Sequence, residues 1–79
     1  MNTLTIVNKF CANNNFMPTE LYTTNNGWVI VKYDATERKE YNLFSTAISN
    51  SKVFKPNKVK VIFDPIDNRV GFSPRAYKG

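Results

Sequence analysis

The sequence contains no histidine and only one cysteine, Cys11, among its 79 residues. A single cysteine excludes an internal disulfide, and without histidine it cannot complete a four-ligand zinc site. Histidine is also the commonest general base of enzymes, so the usual proton-transfer group is missing. We therefore expect no catalytic residues, no bound metal and no cofactor, and we predict that the protein is not an enzyme.

Long hydrophobic runs are missing as well. No apolar stretch approaches the roughly 20 residues that are needed to span a bilayer. The first residues show neither the basic region nor the apolar core of a secretory signal peptide. These absences predict a cytoplasmic protein that has no membrane partner.

The chain is short, which limits how much surface it can bury. A domain of this size buries only about 60% of the surface of its unfolded chain and has little room for a deep cleft. Aromatic residues make up 14% of the sequence, and their rings supply a large buried area per residue. We predict one domain over residues 1–74, followed by a C-terminal tail over residues 75–79.

The first segment, residues 3–12, fits two patterns. Leu4, Val7 and Phe10 recur at helical spacing, whereas Leu4, Ile6 and Phe10 all occupy even positions, as in a strand. The β-branched residues of the segment favour the strand. We prefer a helix here and keep the strand as the open alternative.

Four further elements are predicted in the middle of the chain. Residues 20–25 and 28–33 are rich in strand-forming residues and flank Asn26-Gly27, which suits a two-residue turn with positive φ. A third strand is expected over residues 39–44. A short helix is expected to follow over residues 46–52.

The expected pairing of the second and third strands decides where three large apolar side chains lie. It puts Trp28, Ile30 and Phe44 on one face of the sheet. We expect the N-terminal helix to cover this face. The alternative is an exposed apolar patch, which is typical of a protein interface.

The hairpin near the end of the chain has the clearest pattern. "KVKVIFD" alternates from residue 58 to residue 64, which predicts that Lys58 and Lys60 point outward. The side chains that are then expected to point inward are Val59, Val61 and Phe63. "PIDN" forms the turn, and the predicted cross-strand pairs are Val61–Phe72, Phe63–Val70 and Asp64–Arg69. The fold class is therefore α+β, an antiparallel sheet of about five strands with one or two short helices.

Charge is distributed unevenly along the chain. Residues 1–51 hold four basic and four acidic residues, whereas residues 52–79 hold seven basic and two acidic residues, so the net charge of +5 lies in the last segment. Such a segregated positive field attracts polyanions. Solubility and protection of an edge strand would explain the lysines equally well. The candidate partner-binding residues are the basic side chains of this segment and one tyrosine: Lys52, Lys55, Lys58, Lys60, Arg69, Arg75, Tyr77 and Lys78.

Three functions agree with these features. The first is a small non-catalytic binding protein, a phage or mobile-element regulator or inhibitor that docks on a host protein or nucleoprotein complex of the nucleic-acid-handling machinery. The 11 asparagines and the many lysines, which A/T-rich codons produce, indicate such a gene. The second function is direct binding of DNA or RNA through a basic sheet face. The third is a structural or oligomerising module, since the sequence leaves the oligomeric state open.

Overall fold

Two helices and four strands alternate along the chain in the order α-β-β-α-β-β. The computed structural model describes residues 2–73, so the expected boundary at residue 74 and the tail beyond it lie outside the described residues. The elements are α1 Thr3–Asn13, β1 Glu20–Thr23, β2 Val29–Lys32, α2 Arg38–Asn50, β3 Lys60–Asp64 and β4 Arg69–Ser73. A 3₁₀ turn, Ala35–Glu37, precedes α2. The arrangement confirms the α+β class with an antiparallel sheet, which has four strands in the described part of the chain.

The strands form one antiparallel sheet in the order β1-β2-β4-β3. Each hairpin contributes one edge strand, and the inner strands β2 and β4 pair with each other and so join the two hairpins. The predicted register of the last hairpin is confirmed, with pairs Val61–Phe72, Phe63–Val70 and Asp64–Arg69. Its turn holds Asn68 at φ 53°, a left-handed conformation that asparagine tolerates.

The turn of the first hairpin is longer than expected. Thr23 pairs with Val29, the Thr24 amide donates to the Trp28 carbonyl, and the Gly27 amide donates to the Thr24 carbonyl. In this loop Gly27 takes a positive φ of 87°. This is a three-residue loop in which a left-handed glycine follows an ordinary turn, so the prediction of a two-residue turn is wrong.

Helix α1 confirms the preferred interpretation of the first segment. The Asn2 side chain caps the helix by accepting a hydrogen bond from the Thr5 amide at 2.8 Å. Ile6, Val7 and Cys11 are buried on the side that faces the core. The helical spacing of the apolar residues therefore predicts the secondary structure of this segment correctly, whereas the strand preference of its β-branched residues does not.

Helix α2 occupies the region of the expected third strand, so the prediction of a strand over residues 39–44 is wrong. The strand pattern requires Leu43 to point inward with Tyr41, but Leu43 is 54% exposed. The buried residues of α2 follow the three- and four-residue spacing of one helix face: Tyr41, Phe44 and Ile48. The helix predicted over residues 46–52 is the second half of α2, which ends at Asn50.

The core is a set of aromatic rings between the helices and one face of the sheet. Phe44 of α2 is completely buried. Its ring centroid lies 6.1 Å from Phe10, 5.2 Å from Phe16, 5.7 Å from Tyr33 and 6.5 Å from Phe72. Edge-on and offset ring pairs each contribute about 0.5–1.5 kcal/mol beyond their burial. Phe44 therefore joins α2 to both α1 and the sheet.

Both helices pack against this one face, which leaves the other face of the sheet open within residues 2–73. Trp28 and Ile30 belong to the open face, because Val29 and Val31 alternate with them and are buried in the core. The expectation that the N-terminal helix covers Trp28 is therefore wrong. Phe44 does not share their face either, since it lies in a helix on the opposite side.

Replacement of Phe44 by alanine should lower the free energy of unfolding by about 3–5 kcal/mol, because it removes the ring that contacts both helices and the sheet. Urea unfolding followed by circular dichroism measures this change. Met17→Ala is the control: Met17 is 87% exposed, and its loss should change the same quantity by less than about 0.5 kcal/mol. Equal effects of the two substitutions would contradict the buried position of Phe44.

Candidate functional site

Acidic side chains gather at one end of the molecule, although they are scattered along the chain. At this acidic end β1 and β4 begin, β2 and β3 end, and α2 starts. Arg38 ties α2 to the β3–β4 turn by donating to the Pro65 carbonyl and to Asn68 Oδ1. All carboxylate side chains of the sequence lie here: Glu20, Asp34, Glu37, Glu40, Asp64 and Asp67. Four basic residues lie among them: Lys32, Arg38, Lys39 and Arg69.

The opposite end carries unpaired lysines. This lysine end is defined by the exposed side chains of the α2–β3 connection and the first position of β3: Lys52, Lys55, Lys58 and Lys60. Within residues 2–73 none of them forms a salt bridge. Phe54 anchors the connection, because its ring is buried 5.4 Å from Phe10 and 5.2 Å from Phe72. The ammonium groups are therefore carried by a fixed stretch of backbone.

Two side chains of the β3 pattern differ from the prediction. Lys58 lies before the strand, in a turn with φ 58°, and is exposed there. Phe63 lies on the helix side of the sheet as predicted, since it pairs with buried Val70 and lines a groove with Tyr41, but it is 40% exposed because β3 is an edge strand with a single neighbour. Lys60 does point outward on this edge, where a lysine also discourages pairing with other sheets.

Arg69 is separated from the lysine end. Its Nη2 atom lies 2.7 Å from Asp64 Oδ2 and 3.3 Å from Asp67 Oδ2. The hydrogen bond from Arg69 lowers the pKa of Asp64. Lys60 begins β3 and pairs with Ser73 at the end of β4, whereas Arg69 begins β4. The two residues are therefore four positions apart along the hairpin, about 13 Å at 3.3 Å per residue. The structure thus brings four predicted binding residues together and separates Arg69 from them, while three lie outside the described residues: Arg75, Tyr77 and Lys78.

Trp28 lies at the lysine end of the open sheet face. A Cβ atom added to Gly71 would be 3.1 Å from two carbons of the Trp28 six-membered ring, so the indole lies over this glycine. The β2–β4 register, continued by one residue, places Trp28 level with Ser73, which pairs with Lys60. Trp28 and Lys60 are therefore two strand spacings apart, about 10 Å. The sequence singles out Trp28 as an interface candidate but gives no sign of its contact with Gly71.

A groove of about 670 Å³ between the two helices reaches the lysine end. Ile6 and Phe10 contribute apolar surface to it, and Lys9 adds one more cation. Its polar lining is asparagine-rich: Asn13, Asn14, Asn50 and Asn57. The groove therefore extends the hydrogen-bonding surface of the lysine end onto the helical layer.

Cys11 faces the core and is 6% exposed. Burial raises the pKa of its thiol, which disfavours the reactive thiolate. Within residues 2–73 no three side chains of the metal-ligating types are close enough to share an ion.

Neither helix of the described chain has the length and the apolar character that crossing a bilayer requires. No protein-family model, curated protein or solved structure matches this sequence or fold.

Proposed function

We propose that the protein is a non-catalytic binding protein that recognises single-stranded nucleic acid at the lysine end of its open sheet face. One observation carries the proposal. An indole lies over a glycine on an uncovered sheet, in the same cross-strand row as Lys60, which has no salt-bridge partner within residues 2–73.

Trp28 can provide the stacking surface. Bases of a single strand stack on aromatic side chains without regard to sequence, because every base has a π-face. A duplex keeps its bases stacked on each other, so an aromatic ring on an open sheet favours single strands. Because Gly71 has no side chain, the Trp28 ring can rest directly on the sheet, and the residue stays partly exposed within residues 2–73. We expect a base to stack on the solvent side of this ring.

The lysine end can provide the phosphate contacts. Its four side chains are free of competing carboxylates within residues 2–73, since both aspartates of the last hairpin bind Arg69. Lysines that neutralise phosphates release bound counterions, which strengthens binding at low salt. The acidic end would repel the same phosphates and so orient the strand toward the lysines.

Reversal of two charges, Lys55→Glu with Lys60→Glu, should weaken the binding of a fluorescent 12-nucleotide oligothymidylate. Each lost phosphate contact should make the slope of log K against log salt less steep by about 0.7. Fluorescence anisotropy at several salt concentrations measures both quantities. Lys32→Glu with Lys39→Glu makes the same change of charge at the acidic end; it is the matched control and should leave the slope unchanged. A flat salt dependence of the unmodified protein would rule out phosphate contacts.

Replacement of Trp28 by alanine should weaken binding of the same oligonucleotide by about 1–3 kcal/mol, because a base loses its stacking partner. Trp28→Phe keeps an aromatic ring and should retain most of the affinity. Anisotropy gives the affinities, and circular dichroism checks that both variants are folded. Binding of the alanine variant that equals that of the unmodified protein would remove Trp28 from the site.

The second candidate is the docking function that the sequence predicts, on a cytoplasmic host protein or nucleoprotein complex that handles nucleic acid. The exposed apolar side chains of Met17 and Leu43 favour it, because they lie at the acidic end, away from the lysines. Capture from a host lysate with and without nuclease tests this candidate. Proteins retained after nuclease treatment would support direct docking, and loss of every captured protein would contradict it.

A further inference from the structure

A second groove lies at the acidic end, between the loop after α1 and the first turns of α2. It encloses about 410 Å³. Met17 and Leu43 line it and are 87% and 54% exposed, so the groove has two neighbouring apolar side chains open to solvent within residues 2–73. The acidic groove is defined by six of its lining residues: Phe16, Met17, Tyr33, Glu37, Glu40 and Leu43.

Tyr33 lines this groove and carries a buried hydroxyl that has no hydrogen-bond partner in the described chain. The residue follows β2 directly and is 1% exposed. A buried polar atom without a partner is destabilising, and native proteins satisfy the great majority of such atoms. Burial, together with nearby Cys11, Glu37 and Glu40, raises the pKa of Tyr33, so its hydroxyl stays neutral.

Two carboxylates at the start of α2 lie near this hydroxyl. Glu37 ends the 3₁₀ turn directly before the helix, and Glu40 and Leu43 follow it at intervals of three residues on the same side. Acidic residues near a helix start are favoured by the helix dipole. The dipole does not explain why two exposed apolar side chains and a buried hydroxyl border the same groove. Glu37 already accepts a hydrogen bond from the Thr19 hydroxyl at 2.7 Å, which holds its carboxylate in place.

We propose that the acidic groove binds a segment of a partner protein in which an arginine or lysine side chain is flanked by apolar residues. This proposal rests on the second candidate function, protein docking, and is independent of nucleic-acid binding, because the lysine end is at the other end of the molecule. Charge complementarity selects this partner: Glu37 and Glu40 attract a cation and repel a phosphate backbone.

An arginine side chain fits the chemistry of the groove best. Its planar guanidinium can donate to a carboxylate and to a phenol oxygen at the same time. Its aliphatic stem, with a neighbouring apolar residue, can cover Met17 and Leu43. The hydroxyl of Tyr33 would thereby gain the partner that it lacks within the described chain.

Two model peptides test the proposal by nuclear magnetic resonance: acetyl-Gly-Leu-Arg-Leu-Gly-amide and the same peptide with glutamate in place of arginine. We expect the arginine peptide to shift the signals of Met17, Tyr33 and Leu43 saturably, and the glutamate peptide to leave them unchanged. The double variant Glu37→Gln with Glu40→Gln should weaken binding about tenfold or more. Glu20→Gln, a carboxylate outside the groove, should bind as the unmodified protein does.

Tyr33→Phe separates recognition from folding. Removal of a hydroxyl without a partner should leave the melting temperature unchanged or raise it, whereas it should weaken the arginine peptide several-fold. A merely structural tyrosine would not show this opposite pair of effects. Absence of any shift, equal shifts with both peptides, or unchanged affinity of the Glu37→Gln and Glu40→Gln variant would overturn the proposal.

Capture from a host lysate distinguishes failure of the docking function from failure of the acidic groove as the docking site. If the unmodified protein and the Glu37→Gln, Glu40→Gln variant retain the same proteins after nuclease treatment, docking is real but the acidic groove is not its site. If the unmodified protein loses every captured protein, the docking function itself fails, whatever the peptides show.

Discussion

The packing of Phe44 is the constraint on which the rest of the structure depends. Its ring meets rings from α1, the following loop, the residue after β2 and the central strand β4. The other buried side chains of the small core, such as Ile6 and Val7 of α1 and Ile48 of α2, surround this ring. Because both helices are drawn to the same side, the opposite face of the sheet keeps its own aromatic and aliphatic side chains without a covering layer in the described chain. The possibility of surface recognition follows from this one-sided core.

The same layout gives the molecule two electrically different ends. The acidic end combines the start of α2, where the helix dipole favours negative charge, with a tight turn in which the Asp64 carboxylate accepts a hydrogen bond from the Asp67 amide. Both arginines of this end are held in hydrogen bonds. The lysine end consists of one connection held by a single buried ring, and its cations have no carboxylate to neutralise them within residues 2–73. The carboxylates that reduce the net charge to +5 all lie at the acidic end. The positive field at the lysine end is therefore stronger than the net charge of the whole chain suggests.

The sequence predicts the last hairpin well because several signals agree there. Strict alternation, a four-residue turn and an opposite-charge pair all require the same register, and the pair Asp64–Arg69 is found as predicted. Region 39–44 was assigned wrongly to a strand, because six residues fit both periods and the contacts of Phe44 with rings far away in the chain belong to the helix. That one misassignment also moved Trp28 to the wrong surroundings.

The candidate sites were predicted only in part. Clustering of the lysines follows from their proximity in sequence, and the structure retains it. Arg69 was grouped with the lysines although the predicted register already places it opposite Asp64, and in the structure Asp64 and Asp67 both bind it. No local pattern reveals the contact of Trp28 with Gly71 or the lack of a partner for the Tyr33 hydroxyl within residues 2–73, because both depend on residues far apart in the chain.

The position of β4 has a consequence for how the chain acquires its structure. This strand is the last in sequence among the described elements, yet it lies between β2 and β3 in the sheet. The β2 residues with which it pairs come about 40 residues earlier in the chain. A long loop must therefore close before the two strands can pair. During synthesis the first hairpin and both helices therefore emerge from the ribosome before the strand that unites them exists. Folding to the final structure must wait until residues 69–73 are free, and until then the inner strand β2 exposes an unpaired edge.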